Sequence, residues 1–150
     1  MYQKSITHHI SKIVIDILFY LSIVGVILVP FFTDDVFRFA QYSNKDIITL
    51  TATLFFSGLG CVYILFHLKK MYSSLMDGNP FVDENVSHFR EIAVACIIIA
   101  IIYLIKCFLL FTFGTLIISA VFTVGCLFCL TLKDLFKQAI NYKTENELTV

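Results

Sequence analysis

Charge is scarce in this chain. Only 15% of its 150 residues are Asp, Glu, Lys or Arg, and the 11 basic side chains are matched by 11 acidic ones. A formal net charge of zero gives no whole-molecule field to gather nucleic acid, so direct nucleic-acid binding is not expected and any charge argument must be local. The sequence also lacks the constellations that carry chemistry. It has no nucleophile beside a base, no glycine-rich phosphate loop and no paired carboxylates in a plausible cleft, and an enzyme is not expected. No cofactor or metal pattern is present. His8, His9, His67 and His88 show no ligand spacing such as His-Glu-x-x-His and read as interfacial or solvated. Cys126 and Cys129 have Cys-x-x-Cys spacing, but with bulky apolar neighbours and no basic residue to favour a thiolate. With Cys61, Cys96 and Cys107 they read as packing residues.

What is abundant is apolar surface. At 59% hydrophobic with a mean hydropathy of +0.88, the chain is far more apolar than a soluble domain, which is about half apolar at most. Its solvent should be a lipid bilayer. Four runs are long enough to cross a hydrocarbon core of about 30 Å at about 1.5 Å per residue. They lie at about Ile13–Phe32, Ile47–Phe66, Ile92–Leu110 and Leu116–Leu132. The first exceeds a secretory signal core and has no small-x-small cleavage site after it, so it should stay in the mature protein. The last two would make one helix about 60 Å long if read together, twice the core, so a tight turn around Gly114 is expected to separate them. Small residues, Ser22 and Gly25 in the first span and Ser57, Gly58, Gly60 and Cys61 in the second, offer sites for close helix approach.

The polar connections complete the layout. Residues 1–12 form at best a short lead-in helix, and Thr33 to Asp46 reads as a loop. The second helix can run past His67, Lys69 and Lys70 to Met76 before Gly78 closes it. Asn79-Pro80 then breaks the chain, and Asp83 and Glu84 occupy the first turn of a new helix, where exposed amides favour acids. Beyond Leu132 the pattern is amphipathic. Leu132, Leu135, Phe136, Ala139 and Ile140 repeat at helical spacing opposite Lys133, Asp134, Lys137 and Gln138, with Asn141 to Val150 as a polar tail. Lysine and arginine are retained on the cytoplasmic side. Lys4, Lys12, Lys69, Lys70, Arg90, Lys133, Lys137 and Lys143 fall on one face, against Arg38 and Lys45 on the other. The expected fold is therefore an all-α integral membrane four-helix bundle of two transmembrane hairpins in one domain. Both termini and the 67–91 loop are expected in the cytoplasm, with a cytoplasmic amphipathic extension of the fourth helix over 133–150.

Two charges lie inside spans, Asp16 and Lys106, and each would cost about 2.5–3.5 kcal/mol at mid-bilayer. Depth places them near opposite faces, which argues against a mutual ion pair. Lys106 can extend toward headgroups, and Asp16 can approach Lys12 or water. The loop and extension are either well-made turn chemistry or a docking surface for a soluble partner, with Asn79, Pro80, Phe81, Glu84, Asn85, Leu135, Phe136, Glu147 and Leu148 as candidate partner-binding residues.

Gly78-Asn79-Pro80-Phe81, Glu84-Asn85-Val86 and Phe89-Arg90-Glu91-Ile92, with the terminal Glu145-Asn146-Glu147-Leu148-Thr149-Val150, resemble the DUF2975 family of small bacterial membrane proteins. Val82 stands where members often have a hydroxyl residue suited to capping the next helix, so Asp83 or Asn79 would have to serve. Glu147 stands where aspartate is more common. The resemblance implies a bacterial cytoplasmic-membrane protein of no established activity, often encoded beside a cytosolic Cro/CI-like helix-turn-helix regulator. The resulting expectation is a sensor or regulatory partner that binds such a regulator through the central loop and tail. The alternative is a small transporter, channel subunit or immunity protein acting within the bilayer. A structural subunit of a larger complex, or a homo-oligomer, is compatible with the same sequence.

Overall fold

The computed structural model describes the backbone of residues 6–76 and 80–148, and within them the side chains of 9–33, 35–76 and 80–146. Four helices follow one another: α1 (Ile6–Phe39), α2 (Asn44–Met76), α3 (Asp83–Leu109) and α4 (Phe113–Leu148). Each is long and apolar enough to cross a membrane, as in a multi-pass membrane protein. No strand occurs among the described residues.

The helices run further than the hydropathy implies. The expected 33–46 loop contracts to residues 40–43, because α1 continues through Pro30. Proline removes one backbone donor, and nearby hydroxyls can supply new bonds in a membrane helix. Here Thr33 Oγ1 donates to Val29 O at 2.7 Å and accepts from Thr51 Oγ1 at 2.9 Å, tying this turn to α2. The helix then stops on Gln41, whose φ of 61° is left-handed. Tyr42 N–H donates to Phe37 O and Gln41 N–H to Arg38 O, at 3.1 and 3.0 Å. That pair of bonds is a Schellman stop, and the Phe37 and Tyr42 rings, 5.8 Å apart, supply its usual apolar contact. Glycine normally takes this position, which is why the stop is hard to see in the sequence.

At the other connections, Asp83 and Glu84 do open α3, but the N-cap is Val82, with no side-chain cap. Asp83 is therefore a first-turn acid and not the cap; Asn79, the other candidate, lies outside the described residues, as does Gly78. The α3–α4 turn is centred on residues 110–112, and Gly114 falls inside the first turn of α4 instead of at the bend. The tail is helical as far as Leu148, and residues 6–12 belong to α1.

Among the described residues, helix backbones approach within 8 Å only between chain neighbours, α1 with α2, α2 with α3 and α3 with α4. The four helices thus form an open series, not a closed ring. The core gathers on α3, where Ile92, Ala93 and Cys96 meet Cys126 of α4, flanked by Ile64, Leu68 and Met71 of α2 and Phe122, Cys129 and Leu130 of α4. All five cysteines are free thiols. Hydroxyl contacts cross each interface in addition to the apolar packing, among them Thr51 to Thr33, Ser57 with Tyr103 (3.4 Å), and Ser119 Oγ donating to Ala100 O (3.0 Å). Each such bond is worth about 0.6–2 kcal/mol in a bilayer.

The small strip of α2 serves two partners. A Cβ on Gly58 would sit 2.7 Å from Val26 Cγ2 of α1, and one on Gly60 would sit 2.7 Å from Ile99 Cγ1 of α3. Gly25, by contrast, has nothing within 4 Å of an added Cβ. It lines an apolar groove of about 490 Å³ between α1 and α2 with Leu28, Phe32, Val36 and Leu54.

Candidate functional site

The α2–α3 connection brings the ends of all four helices to one end of the molecule: the start of α1, the end of α2, the start of α3 and the far part of α4. Most sequence-nominated residues meet there.

Asn85 is the anchor of the connection. It is 2% exposed, and its Nδ2 donates to Pro80 O at 2.7 Å and to Ser74 Oγ at 3.2 Å. A proline carbonyl can only accept, which fixes the amide nitrogen on that side. One side chain therefore ties the loop to α2 from the first turn of α3, and faces inward. Phe81 turns the other way, its ring 5.4 Å from Phe136 of α4, while Phe89 approaches Phe136 from α3 at 4.9 Å. Loop, α3 and α4 are thus joined by three aromatic rings. Leu135 and the Glu84 carboxylate remain largely exposed beside them. Asn79 and the side chains of Glu147 and Leu148 lie outside the described residues.

Next to this stack lies a pair of histidines whose sequence context reads as interfacial or solvated. His67 of α2 and His88 of α3 are 8% and 6% exposed, with their Nδ1 atoms 2.9 Å apart. His88 Nε2 is 3.6 Å from Glu84 Oε1. The Tyr63 ring packs edge-on to His67 at 4.5 Å, and its hydroxyl donates to Glu91 Oε2 at 3.1 Å. Glu91 Oε1 in turn accepts from Arg90 Nη2 at 3.0 Å. The two histidines are 21 residues apart, so no local spacing announces them. The available signal was periodicity: His67 falls on the stripe of Ile64, Leu68 and Met71, and His88 on that of Asn85, Phe89 and Ile92. Among the described residues, no group of three His, Cys, Asp or Glu side chains is arranged to hold a metal ion.

Asp16 belongs to the same end. Its Oδ1 lies 3.0 Å from Lys69 Nζ, an ion pair off the axis of an aligned hydrogen bond. Lys69 also stands over the rings of Phe19 (5.3 Å) and Tyr20 (4.9 Å). Lys69, not Lys12, is the partner.

Lys106 is at the opposite end, in the last turn of α3, where the helix dipole favours a cation. It is only 7% exposed and turns toward α4, donating to Thr115 Oγ1 at 2.6 Å and reaching Thr112 Oγ1 at 3.4 Å, instead of extending outward. Thr115→Val should cost about 1.5–3 kcal/mol, because it leaves a buried ammonium with one long contact. Thermal unfolding in detergent would measure this. The Lys106→Met/Thr115→Val pair should recover most of the loss, since no buried charge then lacks a partner.

The family model described as "Protein of unknown function (DUF2975)" matches residues 17–150, nearly the whole chain. The chain belongs to this family. No curated protein and no solved structure matches it. In this DUF2975 member, the described part of the segments that carry the resemblance, Pro80-Phe81 and Glu84-Asn85-Val86, is tied to α2 by Asn85 and to α4 by Phe81.

Proposed function

We propose that this protein is a bacterial cytoplasmic-membrane sensor or regulatory partner, not an enzyme. On this reading the α2–α3 end is cytoplasmic, and its loop and α4 extension bind and restrain a cytosolic helix-turn-helix regulator, releasing it when the bundle senses membrane stress or a small hydrophobic agent. The observation that carries the reading is the Phe81–Phe136–Phe89 stack, which joins the motif-bearing loop to the α4 extension as one continuous surface. The lysine and arginine asymmetry supports the orientation. Half-buried Phe136, Ala139 and Ile140 beside exposed Asp134, Lys137 and Gln138 support an amphipathic extension.

The transport or channel alternative has less to rest on. Asp16 and Lys106 stand at opposite ends, each engaged by partners of its own, so they do not begin a shared polar path across the bundle.

The test is deletion of Asn141–Val150. Insertion into the membrane should be unchanged, and co-purification of a regulator encoded beside this protein should be lost. Undiminished co-purification would remove this segment from the binding surface.

A further inference from the structure

We propose that His67 and His88 form a proton-sensitive latch between α2 and α3, closed while the two rings share a proton and opened when each ring carries two. As the signal for the sensor proposed above, the latch rests on that reading. As a property of the α2–α3 hairpin it does not, and no regulator is needed to observe it.

The chemistry follows from which atoms face each other. A hydrogen bond between two Nδ1 atoms 2.9 Å apart needs one N–H and one lone pair, so the accepting imidazole must be neutral. One extra proton is accommodated. A cationic His88 can donate from Nδ1 to His67 and face the Glu84 carboxylate from Nε2. A second proton leaves two N–H groups pointing at each other, and two cations with ring centroids 5.0 Å apart at less than a tenth exposure. Repulsion and burial then both favour separation.

The surroundings supply only part of the missing counter-charge. From α2 the pair meets Tyr63, the Phe66 ring at 5.5 Å and the like charge of Lys70 one turn along. From α3 it meets two carboxylates, Glu84, 3.6 Å from His88 Nε2 but largely exposed to water, and Glu91, whose charge acts on His67 but is shared with Arg90. On α1, the nearby Asp16 is taken by Lys69; on α4, Lys133 is paired with Asp134 at 3.2 Å. Among the described residues no α4 side chain bonds to either ring.

Opening has a route to the surface. Phe89 follows His88 directly and stacks on Phe136, so a displacement of the His88 turn moves the aromatic stack with it. Because the open form binds the second proton better, the closed form is favoured at neutral and higher pH and is lost as pH falls through the histidine range.

The experiment uses the full chain in lipid nanodiscs, with nitroxides on ketone-bearing residues introduced at the exposed Ser73 and Ser87, so that the five native cysteines are untouched. Dipolar EPR is recorded from about pH 8 to about pH 5, the range in which histidine ordinarily changes charge. A longer-distance population should grow reversibly on acidification and become the larger one, and His88→Asn, which keeps a donor and an acceptor without titrating, should abolish the shift. Distances that do not change with pH in the wild-type chain would overturn the latch. So would a wild-type shift in His88→Asn. Should that variant fail to fold, ¹⁵N spectra of the wild-type imidazoles decide: two doubly protonated rings in a hairpin that stays closed refute the latch, and double protonation coincident with opening supports it.

Discussion

Gly60→Ala is expected to destabilise the α2–α3 hairpin, whereas Gly125→Ala should not. The added methyl at position 60 would meet Ile99 Cγ1 at 2.7 Å and Cδ1 at 2.8 Å. Ile99 is fully buried, so its side chain can turn away only against close-packed neighbours. Overpacking of this kind costs about 1–3 kcal/mol. Against it stands a gain in helix propensity of about 1 kcal/mol, so the net effect runs from near zero to a loss of about 2 kcal/mol, and a contact this short places it on the side of loss. At Gly125 the nearest atom, Cys96 Sγ, would be 3.8 Å away, an ordinary contact, and the propensity gain should show. Gly58→Ala is the intermediate case. Its Cβ also meets a neighbour at 2.7 Å, but that neighbour is Val26 of α1, a helix that among the described residues has backbone contact to α2 alone and so is less hemmed in than α3. Thermal or denaturant unfolding in detergent ranks the three. Combining Gly60→Ala with Ile99→Ala should cost less than the sum of the single changes, because each removes the other's problem. Additive losses would mean that Gly60 is not held against Ile99.

The same glycines show what could be read in advance. The number of helices and the role of the Ser57–Cys61 strip followed from apolar run length and small-residue spacing, two signals that do not depend on which helix neighbours which. The identity of the neighbours did depend on it. Gly58 and Gly60 serve different helices, which the strip alone does not reveal. Boundaries failed where the stop was made by an unexpected residue: Gln41 in the left-handed conformation carries a termination usually assigned to glycine, and the loop before α2 shrank accordingly. Residues 141–148 look like a tail in sequence because they have no apolar stripe. They continue α4 through backbone bonding and local contacts such as Thr144 Oγ1 to Ile140 O at 3.0 Å. The His67–His88 pair is hidden in the sequence for a further reason. Histidine at a helix end is commonly solvated, and only the register of the hairpin, set by Asn85 and the α3 core, turns both rings inward.

That register makes Asn85 the second position with a large expected effect. Asn85→Asp should be worse than Asn85→Ala, although it is nearly isosteric. Alanine loses the bonds to Pro80 O and Ser74 Oγ and leaves a buried carbonyl unsatisfied, a cost of about 1–3 kcal/mol. Aspartate also puts an acceptor where the donor stood, 2.7 Å from the Pro80 carbonyl and at 2% exposure, so it must either take up a proton or displace the loop. Ser74→Ala, which touches the longer of the two bonds, should cost least. Stability in detergent gives the order, and limited proteolysis of the α2–α3 connection shows where the structure yields. Comparison with Phe81→Ala separates two roles for the connection. If Asn85→Ala loosens the hairpin and Phe81→Ala does not, while both weaken regulator binding, then the loop acts as a surface whose shape Asn85 sets. If Phe81→Ala leaves regulator binding intact, the aromatic stack only fixes the angle between the hairpins, and the proposed docking surface excludes the loop.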